Sequence, residues 1–291
     1  MLGSDLAACL APGFNVTGAG RKPAPHLGLP FEVLDLSRKE QVLAVFEKVR
    51  PDYVIHAAAM TRVDDCESQR EQALRDNVTS TQVVVEACRR FGSFLLFVST
   101  DYVFDGEKRG EYLEEDPAAP RSVYGETKWA AEQIIRQQAA AAVIFRMSWL
   151  YGLHGTSFPR TILKKARESE RLRVVHDQRG RPTYTEDVAR LFKQLLEKHP
   201  EILKASAGET FHLGNTGACS WAEFAVEILK RAGLSHIAVD FVPSSEYPRP
   251  AKRPANSVLS LDKFQKRFGL SMRPWYEAIG DFMDAIRDEG L

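Results

Sequence analysis

Phe94-Leu-Leu-Phe-Val-Ser-Thr100 is the stretch from which the fold can be read. It reads as a buried strand: an unbroken apolar run with no face for water, closed by two hydroxyls, as suits a parallel sheet covered on both sides. Working outward, similar short runs occupy Tyr53 to Ala59 and Ala142 to Met147, with Phe31 to Leu36 and Phe14 to Thr17 further upstream. Segments of helical periodicity separate them, among them Ser37 to Val49, opened by a Ser37/Glu40 capping box, and Arg70 to Phe91. Strand and helix in alternation predict β-α-β units and an α/β fold with a doubly wound parallel sheet.

Beyond about residue 150 the order loosens into a smaller region. Ser220-Trp-Ala-Glu223 is a capping box that opens a helix toward Ala232, and Arg190 to Lys198 and Trp275 to Arg287 carry core-facing apolar stripes. The boundary falls near Gly152, giving regions 1–152 and 153–291, with parts of the second packing back on the first. Lys+Arg and Asp+Glu are equal at 39 each, so no broad field exists to hold nucleic acid or an anionic membrane. Cys9, Cys66, Cys88 and Cys219 are too scattered for a zinc site or a C-x-x-C pair, which favours a reduced, cytoplasmic chain. The seven histidines show no metal-ligand spacing, so no metal is expected. No apolar run approaches the roughly 20 residues of a membrane helix. No nucleic acid or membrane partner is read; a homodimer is compatible with the sequence.

Tyr124-Gly-Glu-Thr-Lys128 places a phenol and an ammonium four apart on one helix face, where the lysine can lower the phenol's pKa and the phenol can protonate a carbonyl oxygen as hydride arrives. Chance produces such pairs, and the plain reading is a surface pair. Thr100 changes the weight of the pair, because ligands bind at the carboxyl ends of strands in an open parallel sheet. Ala57, Ala58 and Ala59 end another strand with small residues that admit a flat cofactor or allow tight helix packing. His56, inside that apolar strand, reads as a satisfied core histidine or part of a cofactor wall rather than a base.

Four stretches then carry a resemblance: Ser99-Thr-Asp-Tyr-Val-Phe-Asp-Gly106, Tyr124-Gly-x-x-Lys128, Arg146-Met-Ser-Trp-Leu-Tyr151 and Arg253-Pro-Ala-Asn-Ser257. In this order they resemble the extended short-chain dehydrogenase/reductases, and within them the dTDP-4-dehydrorhamnose reductase family. The resemblance implies a Rossmann-like fold, with dinucleotide bound mainly by residues 1–152 and substrate mainly by 153–291. It also implies NADPH-dependent reduction of a dTDP-4-keto sugar in polysaccharide precursor synthesis. Thr100, Tyr124 and Lys128 match the family's catalytic hydroxyl, proton donor and ribose-binding lysine. Asp101, Tyr102 and Trp149 match positions lining the sugar site, and Arg253 and Asn256 fall in the motif near the nucleotide-sugar. A core aromatic and a solvated loop charge are the plain readings of Trp149 and Arg253.

The same resemblance implies the cofactor contacts. Phe14 to Arg21 looks like a second strand whose end meets the adenosine ribose, so Arg21 or Lys22 faces a 2′-phosphate and favours NADPH, with NADH as the alternative. Asp35 and Leu36 match the positions beside the adenine, and Thr61 the stretch beneath the nicotinamide ribose. Asn77 matches an asparagine that positions the helix below the site, or is an ordinary polar helix residue. The chain departs from the family at its start. Met1-Leu-Gly-Ser-Asp-Leu6 resembles only the last glycine of the phosphate-binding turn, Gly3, and its helix. Without the first strand, which belongs between the second and fourth, two ladders are expected to be unpaired. A translation start upstream of Met1 and a shortened protein with impaired cofactor binding are the two explanations, the first being favoured. Two other functions stay open: a dinucleotide-binding regulatory subunit similar to the β subunit of methionine adenosyltransferase, and a nucleotide-sugar epimerase or dehydratase.

Overall fold

Phe94–Thr100 and Ala142–Met147 are adjacent parallel strands, buried along their whole length, in a computed structural model that describes residues 1–288. The first half runs α1 (Leu2–Leu10), β1 (Gly18–Gly20), β2 (Phe31–Val33), α2 (Lys39–Val49), β3 (Tyr53–His56), α3 (Val63–Ser68), α4 (Arg70–Leu74), α5 (Ser80–Phe91), β4 (Phe94–Thr100), α6 (Val123–Gln138) and β5 (Ala142–Met147). There follow β6 (Leu150–Tyr151), α7 (Phe158–Glu168), β7 (Arg171–Val175), β8 (Arg179–Gly180), β9 (Thr183–Tyr184), α8 (Thr185–Lys198), α9 (Pro200–Ala205), β10 (Thr210–Leu213), β11 (Asn215–Thr216) and β12 (Cys219–Ser220). The chain continues through α10 (Trp221–Arg231), β13 (Ala238–Val242), α11 (Asp262–Phe268), β14 (Met272–Pro274) and α12 (Trp275–Asp288).

The main sheet is parallel, in the order β10-β5-β4-β3. Side chains alternate across a strand, and here both faces are apolar. Phe94, Leu96 and Val98 join Val143 and Phe145 under α1, α8 and α11, while Leu95 and Phe97 join Ile144 under α2, α5 and α6. A third core, built from Ile162, Leu172, Phe224, Ile228, Ile279 and Phe282 among others, lies under α7, α10 and α12. Truncating a ring such as Phe97 or Phe145 to alanine would cost about 3–5 kcal/mol in cores packed this tightly.

β1 pairs in parallel with β2 in a separate two-stranded sheet, and β3 hydrogen-bonds only to β4. Both ladders therefore have one unpaired side among the described residues, as the strand order implied. No described helix is long and apolar enough to cross a membrane.

Several expected element boundaries are corrected. The strand expected at Phe14–Thr17 lies instead at Gly18–Gly20, where pairing with Phe31–Val33 begins, while Phe14 and Val16 only pack against the core. β2 stops at Val33, where its partner β1 ends at Gly20, and β3 stops at His56, opposite Phe97, although β4 runs on to Thr100, so both are shorter than the runs to Leu36 and Ala59. The Ser37/Glu40 capping box is absent. The Asp35 carboxylate takes both the Ser37 N–H at 2.9 Å and its hydroxyl at 2.7 Å, so the helix begins at Lys39 without a side-chain cap. The helix expected over Arg70–Phe91 is broken by a π turn at Arg75–Thr79. The Ser220/Glu223 box is present and starts α10. The strand read without bounds between the helices at Arg190–Lys198 and Ser220–Ala232 is β10, whose four buried residues return the chain to the main sheet beside β5.

Candidate active site

β4 ends at Thr100, and the chain turns at once into a short 3-10 segment, Asp101–Val103, at the carboxyl edge of the sheet. Thr100 caps that turn: its Oγ1 accepts the Tyr102 N–H at 3.2 Å and donates to Asp101 Oδ1 at 3.0 Å. Opposite stands the start of α6, capped by Ser122, whose hydroxyl accepts the Gly125 N–H. Gly125 is needed there, since a Cβ would sit 2.2 Å from the Tyr102 carbonyl oxygen. The close approach sets the rings of Tyr102 and Tyr124 edge to face at 5.5 Å.

Lys128 lies one turn below Tyr124 and is buried. Its Nζ donates to the Val98 carbonyl at 2.7 Å and rests 4.0 Å from the centroid of the Phe97 ring. Burial pulls its pKa down to about 7, against the pull of the Glu132 carboxylate. Burial pushes the Tyr124 phenol up, and the neighbour that draws it partly back is the Thr100 hydroxyl. The expectation that the lysine lowers the phenol is thus corrected: the ammonium is turned to the Val98 carbonyl. Asp101 is buried, and its carboxyl is pushed up to about 7 by loss of solvent, opposed by the Thr100 and Ser257 hydroxyls. Its Oδ2 has no hydrogen-bond partner among the described residues.

Asn77 sits in the π turn, a helix irregularity that is frequent at functional sites. Its Oδ1 accepts the Met60 N–H at 2.7 Å, and its Nδ2 donates to the Met60 carbonyl at 3.2 Å and to Thr127 Oγ1 at 2.9 Å. One side chain thereby ties the loop after β3 to the helix that carries Tyr124 and Lys128. His56 is a satisfied core residue: its Nε2 lies 3.2 Å from Thr81 Oγ1, and burial pulls its pKa down to about 3.

These side chains open on one cleft of about 1280 Å³. Gly3, Arg21, Ala57, Ala58, Ala59 and Thr61 line it together with Thr100, Asp101, Tyr102, Tyr124 and Lys128. Trp149 and Arg253 line it as well. Trp149 has a left-handed backbone, φ 49°, and its indole lies over Gly180, where a Cβ would come within 2.3 Å of the ring. The indole of Trp221 stacks on it at 3.4 Å, nearly parallel. Arg253 donates to Asp64 Oδ2 at 2.8 Å, and Asp64 Oδ1 accepts the Ala251 N–H, so the segment after β13 is strapped to the start of α3.

The sequence profile of the RmlD substrate binding domain matches residues 1–288. The dTDP-4-dehydrorhamnose reductase of Aggregatibacter actinomycetemcomitans is 37% identical over 263 residues, 87% of each chain. The chain belongs to the dTDP-4-dehydrorhamnose reductase family. Among solved structures of the family, the reductase of Clostridium acetobutylicum superposes with a TM-score of 0.86 at 32% identity, covering 98% of this chain and 96% of that one. The Bacillus anthracis reductase, solved in complex with NADP, gives 0.83 at 31% identity, covering 92% and 98%.

Four of the expected site residues, Asp35, Leu36, Asn77 and Asn256, stay out of the cleft lining, Asn77 acting from behind it through Met60 and Thr127. Asp35 and Leu36 follow β2, and the Asp35 carboxyl, held by Ser37, lies below the usual range. Asn256 instead pins a loop, donating to the carbonyls of Lys108 and Gly110 and accepting the Val258 N–H. Arg21 reaches the cleft but gives its guanidinium to Asp76 at 2.8 Å. Asp64 and Trp221 belong to the cleft and were missed. The capping box that opens α10 was visible, yet nothing in the sequence shows that the residue after Ser220 meets Trp149, 72 positions earlier.

Proposed function

We propose that the chain reduces the 4-keto group of dTDP-4-dehydro-L-rhamnose to give dTDP-L-rhamnose with NADPH, NADH being the weaker donor. The observation that carries this reading is the meeting of Thr100, Tyr124 and Lys128 on one cleft, at the carboxyl end of a central strand. Residues fit for the dinucleotide line the same cleft: small Ala57 to Ala59 after β3, the buried Lys128, and the first turn of α1, whose N-terminal dipole suits a pyrophosphate. We assign the dinucleotide mainly to residues 1–152 and the sugar nucleotide mainly to 153–291. The protein is placed in the cytoplasm on the strength of its four separated, unbridged cysteines.

When bound, NADPH supplies the hydride. Tyr124 gives its hydroxyl proton to the carbonyl oxygen as charge develops there, and Thr100 shares the oxyanion. Lys128, fixed by the Val98 carbonyl and the Phe97 face, would hold the cofactor's ribose, while the Thr100 hydroxyl favours the phenolate left on Tyr124. Trp149, braced by Trp221, offers an aromatic wall to the sugar nucleotide, and Arg253 a forked donor to its diphosphate.

The test is NADPH oxidation by the purified chain with and without dTDP-4-dehydrorhamnose. Oxidation that depends on the sugar supports the reductase. Sugar conversion without net NADPH consumption would instead identify an epimerase or dehydratase, and inertness with a stable synthetase complex a regulatory subunit.

A further inference from the structure

Thr100 has one proton to give, and in this structure it gives it to Asp101. Its oxygen accepts the Tyr102 N–H, and the hydroxyl is the neighbour that favours the ionised form of the Tyr124 phenol. Asp101 itself is 4% exposed, lines the cleft, and has one oxygen on Thr100 and the other without a partner. An ionised carboxylate left half satisfied in such a place is costly, whereas a neutral carboxylic acid can turn donor toward Thr100. Thr100 thus has Asp101 in direct contact at 3.0 Å and the Tyr124 phenol as its other titratable neighbour, all three on one cleft.

We propose that Asp101 is the proton reserve that restores Tyr124 through the Thr100 hydroxyl. This rests on the reductase reading. As hydride adds to the keto carbon, the Tyr124 O–H bond breaks and its proton goes to the new alkoxide oxygen. Thr100 passes its hydroxyl proton to the phenolate oxygen and takes the carboxylic proton of Asp101, which ends as carboxylate. Water entering the cleft after product release returns one proton to Asp101, so each cycle consumes one hydride and one proton. Asp101 acts through Thr100 and is a positioning and proton-supplying residue rather than a catalytic one.

Titratable neighbours of Asp101 are Tyr102 on its own turn and Tyr124 on α6, both pushed up by burial; the segment after β13 contributes the Ser257 hydroxyl and, toward Tyr102, the Arg253 guanidinium, which with Asp64 on α3 faces that phenol. The relay needs protonated Asp101, so turnover falls as pH rises through its pKa, about 7 here. Lys128 titrates in the same range, so the limb is read as the difference between wild type and Asp101→Asn, which both keep Lys128.

The experiment measures kcat against pH for wild type, Asp101→Asn and Ser257→Ala, with infrared difference spectra of protonated carboxyl groups over the same pH range. Asp101→Asn is expected to lose about tenfold or more in kcat, as for a lost proton-transfer partner, to lose the limb, and to lack one carboxyl band titrating near neutrality. Ser257→Ala removes a hydroxyl that favours the carboxylate, so its limb and band should move to higher pH; it also decides the matter should Asp101→Asn fail to fold. Wild-type turnover with the limb and kcat unchanged in Asp101→Asn, or unmoved in Ser257→Ala, overturns the relay alone. A wild-type chain that does not oxidise NADPH removes the reductase reading and the relay with it, and a wild type with no carboxyl titrating near neutrality removes the relay whatever the turnover.

Discussion

Tyr124 gains its reactivity from what surrounds it, since burial alone makes a phenol a reluctant acid. Tyr124→Phe is expected to lower kcat by about 10²–10⁴-fold while the dissociation constant for NADPH stays within about twofold, because only the proton is removed. Stopped-flow turnover and fluorescence titration of NADPH check the two halves. Lys128 gives a second expectation, in stability. Its folded pKa, about 7, lies below the unfolded value of 10.5, so between these the unfolded chain binds the extra proton. Lys128 thus contributes stability that is fully present above pH 10.5 and is lost as pH falls through 7. Lys128→Met should flatten the stability curve over this window, as urea denaturation at a series of pH values would show. The spacing of Tyr124 and Lys128 was plain in the sequence, but the direction of the ammonium was not, because a carbonyl acceptor such as that of Val98 leaves no trace in side-chain identity.

The π turn between α4 and α5 shows how an irregular element can be worth more than a regular one. Asn77 satisfies both polar groups of the Met60 backbone and reaches Thr127. Asn77→Ala would leave buried groups unpaired, at about 1–3 kcal/mol each. It is expected to lower the thermal midpoint and raise KM for NADPH, since the loop after β3 lines the cleft; calorimetry and steady-state kinetics separate the effects. At α10, Ser220→Ala should cost about 1 kcal/mol through the lost cap. Because Trp221 is the first residue of that helix, KM for the sugar nucleotide should rise as well. Strands β4 and β5 were legible to the residue, since buried runs end where the sheet ends. The start of α2 was not, because Asp35 competed for Ser37, and hydrogen-bond competition among short polar side chains has no periodicity to read.

Across the molecule, the two halves meet at the cleft, where the Asp64 carboxylate takes the Ala251 N–H, 187 positions away, and the Arg253 guanidinium, 189 away. A partly buried surface ion pair of this kind adds only about 1 kcal/mol. Asp64→Asn should therefore leave the denaturation midpoint nearly unchanged while altering KM for the sugar nucleotide, which must meet Arg253 in the same place. Equal midpoints and equal KM would show that the strap has no part in binding. The alternation of strand and helix made the doubly wound sheet legible over the first half. The second half was harder: its two- and five-residue strands pair across long separations, as β7 does with β13, and short segments of this kind owe their form to partners rather than to local pattern. The Trp149 and Trp221 stack has an optical consequence. Two indoles 3.4 Å apart and nearly parallel couple their excited states, so the near-ultraviolet circular dichroism of the protein should carry a signal from this pair alone. Both indoles line the cleft, so a ligand that covers Trp149 changes the medium around the pair. The cleft therefore contains its own spectroscopic gauge of occupancy, readable without a label and without turnover.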